Sequence, residues 1–199
     1  MMALDLCNRF GDSGMTAEEL LANVEIKSTK PDDVSHIIEF IARSWGMSGN
    51  FEAFTQVVHS NMDLRKSVKL IDKRDGEIYG LLLFAYYPIQ EGSPIMGINP
   101  SLGRYLNQYT QLNGHSFIID ERLRGCGLDK KMLLFGKEYL DTFDFVWCAV
   151  EKDLKSHNYW KKLGFKKIFS IPEASFYIIS NNDAINWDLS HYYGLKEFS

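Results

Sequence analysis

The sequence predicts an α/β fold of the α+β type: three layers, α/β/α, around a mixed, mostly antiparallel sheet of about six to seven strands. Three observations predict it. Short apolar runs alternate with period two, as half-buried strands do. Two such runs are joined by Asp75-Gly76, a turn pair that accepts positive φ. Later runs alternate with stretches of helical periodicity. Strands arranged first in hairpins and then in βαβ units require a mixed sheet with helices on both faces. The 199 residues are 45% apolar and 24% charged, which suits one soluble domain with a real core.

Residues 1–23 read as a mixed, polar N-terminal arm. Within it, Thr16-Ala-Glu-Glu-Leu-Leu predicts a short helix capped by Thr16, with Glu19 placed for a capping box. Val24 to Ser28 alternates and predicts a strand. Val34, Ile37, Ile38 and Ile41 recur at helical spacing after Pro31-Asp-Asp, and the helix should stop near Gly46. A second helix is expected over residues 51–60. Ser67–Asp72 and Ile78–Tyr87 form the predicted hairpin. Residues 88–113 contain Pro88, Pro94, Pro100 and several glycines, and read as a long irregular insertion. His115–Asp120 is a strand, Asp129–Leu140 a helix with Met132, Leu133, Phe135, Gly136 and Leu140 on or near one face, and Phe143–Val150 a buried strand. Ser156–Leu163 is a short helix halted by Gly164, followed by strands Phe165–Ile171 and Ser175–Ile179. The domain therefore spans 24–180. The tail 181–199 carries Trp187, Tyr192, Tyr193 and Phe198 and should pack against the domain.

Charge and cysteine usage narrow the function. A formal charge of −4 disfavours general nucleic-acid binding through phosphates. No apolar run is long enough to span a bilayer, and Met1–Phe10 lacks the pattern of a secretory signal. Cys7, Cys126 and Cys148 are scattered, odd in number and without CxxC spacing. They suit a reducing cytoplasm rather than a disulfide framework. No metal is expected.

The chemistry concentrates in Phe117–Leu134, a strand, an Arg- and Gly-rich turn, then a helix. Backbone N–H groups at a helix start have no intrahelical partner, and with the helix dipole they make an anion site. Gly125 and Gly127 allow close approach of a bulky phosphate, and Arg122, Arg124, Lys130 and Lys131 add positive charge. A pyrophosphate is the natural guest. GxxxxGK[ST] and GxGxxG are both absent, which removes the P-loop and dinucleotide readings. For the turn taken alone, a plain structural turn shaped by its glycines is an equal alternative.

In context, Ile119-Asp-Glu-Arg-Leu-Arg-Gly-Cys-Gly-Leu-Asp129 resembles the CoA-binding motif of the GNAT superfamily of acetyltransferases, "V-D-P-x-x-R-G-x-G-[IL]-[GA]". Tyr159-Trp-Lys-Lys-Leu-Gly-Phe165 is similar to that family's "[FY]-Y-x-K-L-G-F" segment. The resemblance covers about residues 24–180. It implies a GNAT-like fold and acetyl-CoA as co-substrate. The cofactor would be held by Ile119, Arg124, Gly125, Cys126, Gly127, Leu128, Asp129, Lys130, Asp153 and Trp160. Transfer would be direct, without an acyl-enzyme, to a primary amine of a small molecule or peptide. Strand His115–Asp120 would splay from strand Phe143–Val150, with the pantetheine arm in the gap and the Ile119 backbone N–H as oxyanion donor.

Three departures from the family pattern stand out. Asp129 ends the turn motif where the family has Gly or Ala. A carboxylate about 6 Å from a phosphate charge costs about 3 kcal/mol at an effective dielectric of about 20. Trp160 replaces a tyrosine that would protonate the leaving thiolate, and an indole N–H only donates. Asp153 stands where the family has asparagine.

A protonated amine needs a base. Glu151 is the first candidate, Asp120 and Glu121 follow, and His115 and His157 are weaker. His36, Glu39 and Glu52 lie on the early helices, where the resemblance places an acceptor pocket. Ordinary solvated side chains are the competing explanation for all of these. Core packing likewise competes with an acceptor pocket for Tyr86, Tyr87, Tyr105, Tyr109 and Phe117. A catalytic Cys126 is disfavoured because no histidine is paired with it. The alternative to an enzyme is a non-catalytic CoA- or ligand-sensing module of the same fold, a reading Asp129 and Trp160 favour. Sheet edges and the aromatic tail leave a homodimer open.

Overall fold

The computed structural model describes residues 17–46, 55, 56, 58, 62–64, 66–85, 88–151 and 157–194. Thr16 and most of the helix expected over 51–60 lie outside these residues, as do Glu52, Tyr86, Tyr87, Asp153 and Phe198. The elements run α1 (Ala17–Asn23), β1 (Val24–Ser28), a 3-10 turn (Pro31–Asp33) and α2 (Val34–Trp45). Then come β2 (Val68–Asp72), β3 (Ile78–Ala85), α3 (Pro94–Ile98), α4 (Pro100–Leu106) and β4 (Gln111–Ile119). A 3-10 turn (Glu121–Leu123) leads to α5 (Leu128–Leu140), β5 (Phe145–Glu151), α6 (His157–Lys162), β6 (Lys166–Ser170), β7 (Ala174–Ser180) and α7 (Asp183–His191).

The seven strands form one mixed, mostly antiparallel sheet in the order β1-β2-β3-β4-β5-β7-β6. Antiparallel ladders join β1 to β2, β2 to β3, β5 to β7 and β6 to β7. β4 and β5 are parallel, pairing Gln111 with Phe145, Leu112 with Val146 and Asn113 with Trp147.

The chain divides into two compact units. The first comprises residues 1–84 and 116–138. Here α2 buries Val34, Ile37, Ile38, Phe40, Ile41 and Ala42 and stops at Gly46, whose φ of 62° fits a left-handed helix end. α5 buries Leu128 and Met132, one turn apart, while Leu134 and Phe135 are exposed. Phe135, expected on the apolar face, therefore lies off it. A β-bulge interrupts the β2–β3 ladder between Leu70 and Ile71. At Gly80, opposite Leu70, an added Cβ would lie 3.1 Å from Leu70 Cβ and 3.3 Å from Met132 Sδ, so the missing side chain is what lets α5 seat on β3.

The second unit comprises residues 85–115 and 139–199. Its core gathers Ile89, Ile95, Leu102 and Leu106 with Phe145, Trp147, Phe176 and Ile178, and with Ile185 and Leu189 of α7. The insertion expected to be irregular instead holds two short helices, and β4 starts at Gln111 rather than His115. Proline stands at the first position of both helices, behind the caps Ser93 and Asn99, where its missing N–H costs nothing, so these prolines start helices instead of breaking them. Asn107 holds the segment in place: its Oδ1 accepts from Ile89 N at 2.9 Å and its Nδ2 donates to Ile89 O at 2.9 Å. Tyr105 OH donates to Asp188 Oδ2 at 2.5 Å, joining insertion to tail. Tyr105 and Tyr109 are thus packing residues of this unit, with Tyr105 also against Tyr193.

Candidate functional site: a glycine turn at a helix start

The turn between β4 and α5 lies wholly in the first unit. Gly125 and Gly127 have φ of 80° and 74°, a backbone conformation L side chains rarely adopt. A Cβ built on either meets nothing within 4 Å, so the space above the turn is open. α5 begins at Leu128, which is buried, and Lys131 N returns to Gly127 O at 3.4 Å. The N–H groups of Leu128, Asp129 and Lys130 therefore come before the first intrahelical bond and are available to an anion. Conformation and open space together fit a phosphate group lying against the backbone.

Upstream, Asp120 caps the 3-10 turn. Its Oδ1 accepts from Arg122 N at 3.0 Å and Arg122 Nε at 2.9 Å, and its Oδ2 from Arg122 Nη2 at 2.9 Å. Burial pushes the Asp120 pKa up, but the Arg122 hydrogen bonds and charge outweigh it and hold the carboxyl below its usual value. The Arg122 guanidinium lies 5.1 Å from the Tyr79 ring centroid, and Tyr79 OH donates to Asp72 Oδ2 at 3.5 Å. Asp72 repeats the device with Arg74, two residues on, through Nε and the backbone N–H at 2.9 Å.

Arg124 Nε donates to Ile119 O at 3.0 Å, and the rest of its exposed guanidinium has no carboxylate partner among the described residues. Glu121 and Lys130 are exposed, and Cys126 and Asp129 half-buried. A pocket of about 370 Å³ is lined by Ile119, Asp120, Glu121, Arg122 and Arg124 together with Arg43 and Ser44 from the end of α2. Arg43 and Ser44 belong to no motif. The nearest signal is the repeated Asp-x-Arg spacing, which marks the paired arginines Arg74 and Arg122 but not Arg43.

The structure brings Ile119 through Lys130 together. It places Glu151 and Trp160 in the second unit. Glu151 is the exposed last residue of β5, opposite Ala174. Trp160 on α6 packs edge-on against Phe165, with centroids 5.1 Å apart. Burial lowers the pKa of His115. His157 Nδ1 lies 2.9 Å from Tyr177 OH. His36 and Glu39 line a smaller recess of about 190 Å³ in the first unit with Phe40, Arg43, Glu77 and Ile78. Among the described residues no cluster of His, Cys, Asp and Glu is arranged to hold a metal, and no helix is long and apolar enough to cross a membrane.

No family model and no curated protein sequence matches the chain. Solved structures do. Polyamine N-acetyltransferase from Drosophila melanogaster, which forms N-acetylagmatine, aligns with a TM-score of 0.62 at 11% identity, over 79% of this chain and 100% of that one. Arabidopsis thaliana NAA60, solved with a bisubstrate analogue, aligns at 0.56 and 15% identity, over 79% and 97%. The PaiA N-acetyltransferase of Thermoplasma acidophilum, in complex with coenzyme A, aligns at 0.53 and 11%, over 79% and 98%. The fold of this chain is that of the GNAT N-acetyltransferases.

Proposed function

We propose that this protein is an acetyl-CoA-dependent N-acetyltransferase acting on a primary amine of a small molecule or peptide. The observation that carries the reading is the glycine turn: two positive-φ glycines, open space above them and free N–H groups at the start of α5. The backbone from Arg124 to Lys130 would hold the diphosphate, and the Ile119 N–H would face developing negative charge on the acyl oxygen. Acetyl-CoA supplies an activated acyl thioester. The amine nitrogen forms the new C–N bond as the C–S bond breaks and the thiol leaves. A carboxylate takes the amine proton, directly or through water, and Glu151 is assigned that role. Asp120 is held by Arg122 with a lowered pKa, which is unfavourable for a base working near neutrality. Asp120 is therefore assigned to shaping the turn, and Glu121 remains the second candidate.

Trp160 favours a second reading, a module that binds CoA without turnover, because its ring packs on Phe165 and offers no acid. Thermal shift with acetyl-CoA, then thiol release over a panel of amines and N-terminal peptides, tests both. Stabilisation with thiol release establishes the transferase. Stabilisation with no release on any amine establishes the module. No stabilisation by acetyl-CoA or CoA defeats both.

A further inference from the structure

We propose that Ala149 decides which amine this protein accepts: the face of β5 and β7 around it takes the apolar part of a monoamine and rejects a chain with a second charge. This rests on the reading of Glu151 as the base of an acetyltransferase. Trp147, Ala149 and Glu151 share one face of β5, with about 7 Å between successive members along the strand. Trp147 is buried, and Ala149 and Glu151 are exposed. Yet β7 runs alongside throughout, pairing Trp147 with Ile178, Ala149 with Phe176 and Glu151 with Ala174. On the other side the ladder with β4 ends at the pair Asn113 and Trp147. Phe145, Trp147, Phe176 and Ile178 belong to the core that α3, α4 and α7 complete, and that core stops short of Ala149. Phe169, Ile171 and Ala174 pack against its edge and are only partly buried, with Phe169 stacked on Phe176 at 4.5 Å between centroids. The result is an apolar ledge that runs from the core out to Glu151.

Charge is confined to one end of the ledge. Glu151 stands at the outer end, and Glu173, exposed in the β6–β7 turn, precedes Ala174 and so lies beyond Glu151 in the register. Toward the core, the residues around Ala149 are Trp147, Phe169, Phe176 and Ile178, and none of them carries a carboxylate. An amine nitrogen at Glu151 puts the next atoms of its chain over Ala149. An alkyl or aryl group there exchanges water for an apolar surface, which is favourable. A second ammonium there would be desolvated without a partner, which costs more than the chain gains. The methyl side chain of Ala149 is what leaves the room. At the same place a leucine would fill the ledge, and an aspartate would supply the partner a second ammonium needs.

Thiol release from acetyl-CoA would be compared for methylamine, butylamine and 1,4-diaminobutane in wild type, Ala149→Leu and Ala149→Asp. The two longer amines differ by one terminal ammonium. Wild type should show a kcat/KM for butylamine about tenfold or more above that for the diamine. Ala149→Leu should raise the KM for butylamine by about tenfold or more and leave methylamine, too short to reach the ledge, near its wild-type value. Ala149→Asp should narrow or reverse the preference between the two longer amines. The acetyl-CoA dissociation constant should stay at the wild-type value in both variants, whereas a general loss of structure would lower it and move all three amines alike. Equal kcat/KM for the two longer amines in wild type, turnover confined to N-terminal peptides, or a preference that Ala149→Asp leaves unchanged overturns the ledge. If wild type releases no thiol with any amine, the parent reading fails by itself. Calorimetry with butylamine then decides the ledge: binding that Ala149→Leu abolishes supports it, and binding that persists in that variant, or none in wild type, removes it.

Discussion

Asp129 is where a single residue most clearly serves two ends. It is the second residue of α5, half-buried, and a carboxylate in the first turn of a helix complements the dipole. In the proposed CoA site the same charge would stand next to the diphosphate. Asp129→Gly should therefore tighten acetyl-CoA binding by about 1–3 kcal/mol while slightly weakening the helix start. The dissociation constant is the readout, and an unchanged value would show the side chain turned from the ligand. Asp72 offers a pH test. Its fully buried carboxyl is brought to about 2, first by the Arg74 side-chain hydrogen bonds and then by the Arg74 backbone N–H. A carboxyl depressed below its unfolded value of 3.8 contributes stability above that value, and loses it as pH falls through the folded one. Wild type should thus lose stability between about pH 4 and about pH 2, and Asp72→Asn should flatten that limb in acid titrations of the melting temperature. The conformation of the glycine turn was legible in the sequence because it is set locally, by Gly125 and Gly127. Arg43 was not: on α2 it reads as one more solvated residue, and only the fold brings it beside residues 119–124.

At the scale of elements, periodicity carried most of the information. α2 has one apolar stripe and one polar face, and its observed span and its stop at Gly46 follow from those two features. The seven strands were legible for the same reason. The insertion was not, because α3 has five residues and α4 seven, too short for a helical period to emerge among prolines and glycines. Both are held by tertiary contacts rather than by propensity, as short helices must be. The same holds for α7, whose Leu189 is fully buried in the core with Ile95, Leu106 and Phe145. Leu189→Ala should cost about 2–5 kcal/mol, read as a lower urea midpoint. A loss below about 1 kcal/mol would mean that α7 adds little to this core.

Across the whole molecule, the candidate residues fall in two different units. The anion cradle belongs to the unit of residues 1–84 and 116–138, and Glu151 to the unit of residues 85–115 and 139–199. No local pattern could reveal this partition, since each unit is assembled from two separated stretches of chain. The consequence is a separation of roles: cofactor affinity should follow the cradle, and proton transfer should follow Glu151. Glu151 ends β5 and is exposed, while Val146, Trp147, Cys148 and Val150 before it are buried. Glu151→Gln keeps the shape and removes the base. On a confirmed acceptor it should lower kcat at neutral pH by about a hundredfold or more, the usual yield of general-base catalysis. The acetyl-CoA dissociation constant should stay at the wild-type value. The loss should shrink as pH rises and more of the amine arrives already deprotonated. Near-normal turnover in Glu151→Gln would remove it from the mechanism and move the assignment to Glu121. A fall in acetyl-CoA affinity with turnover intact would make Glu151 a binding residue instead.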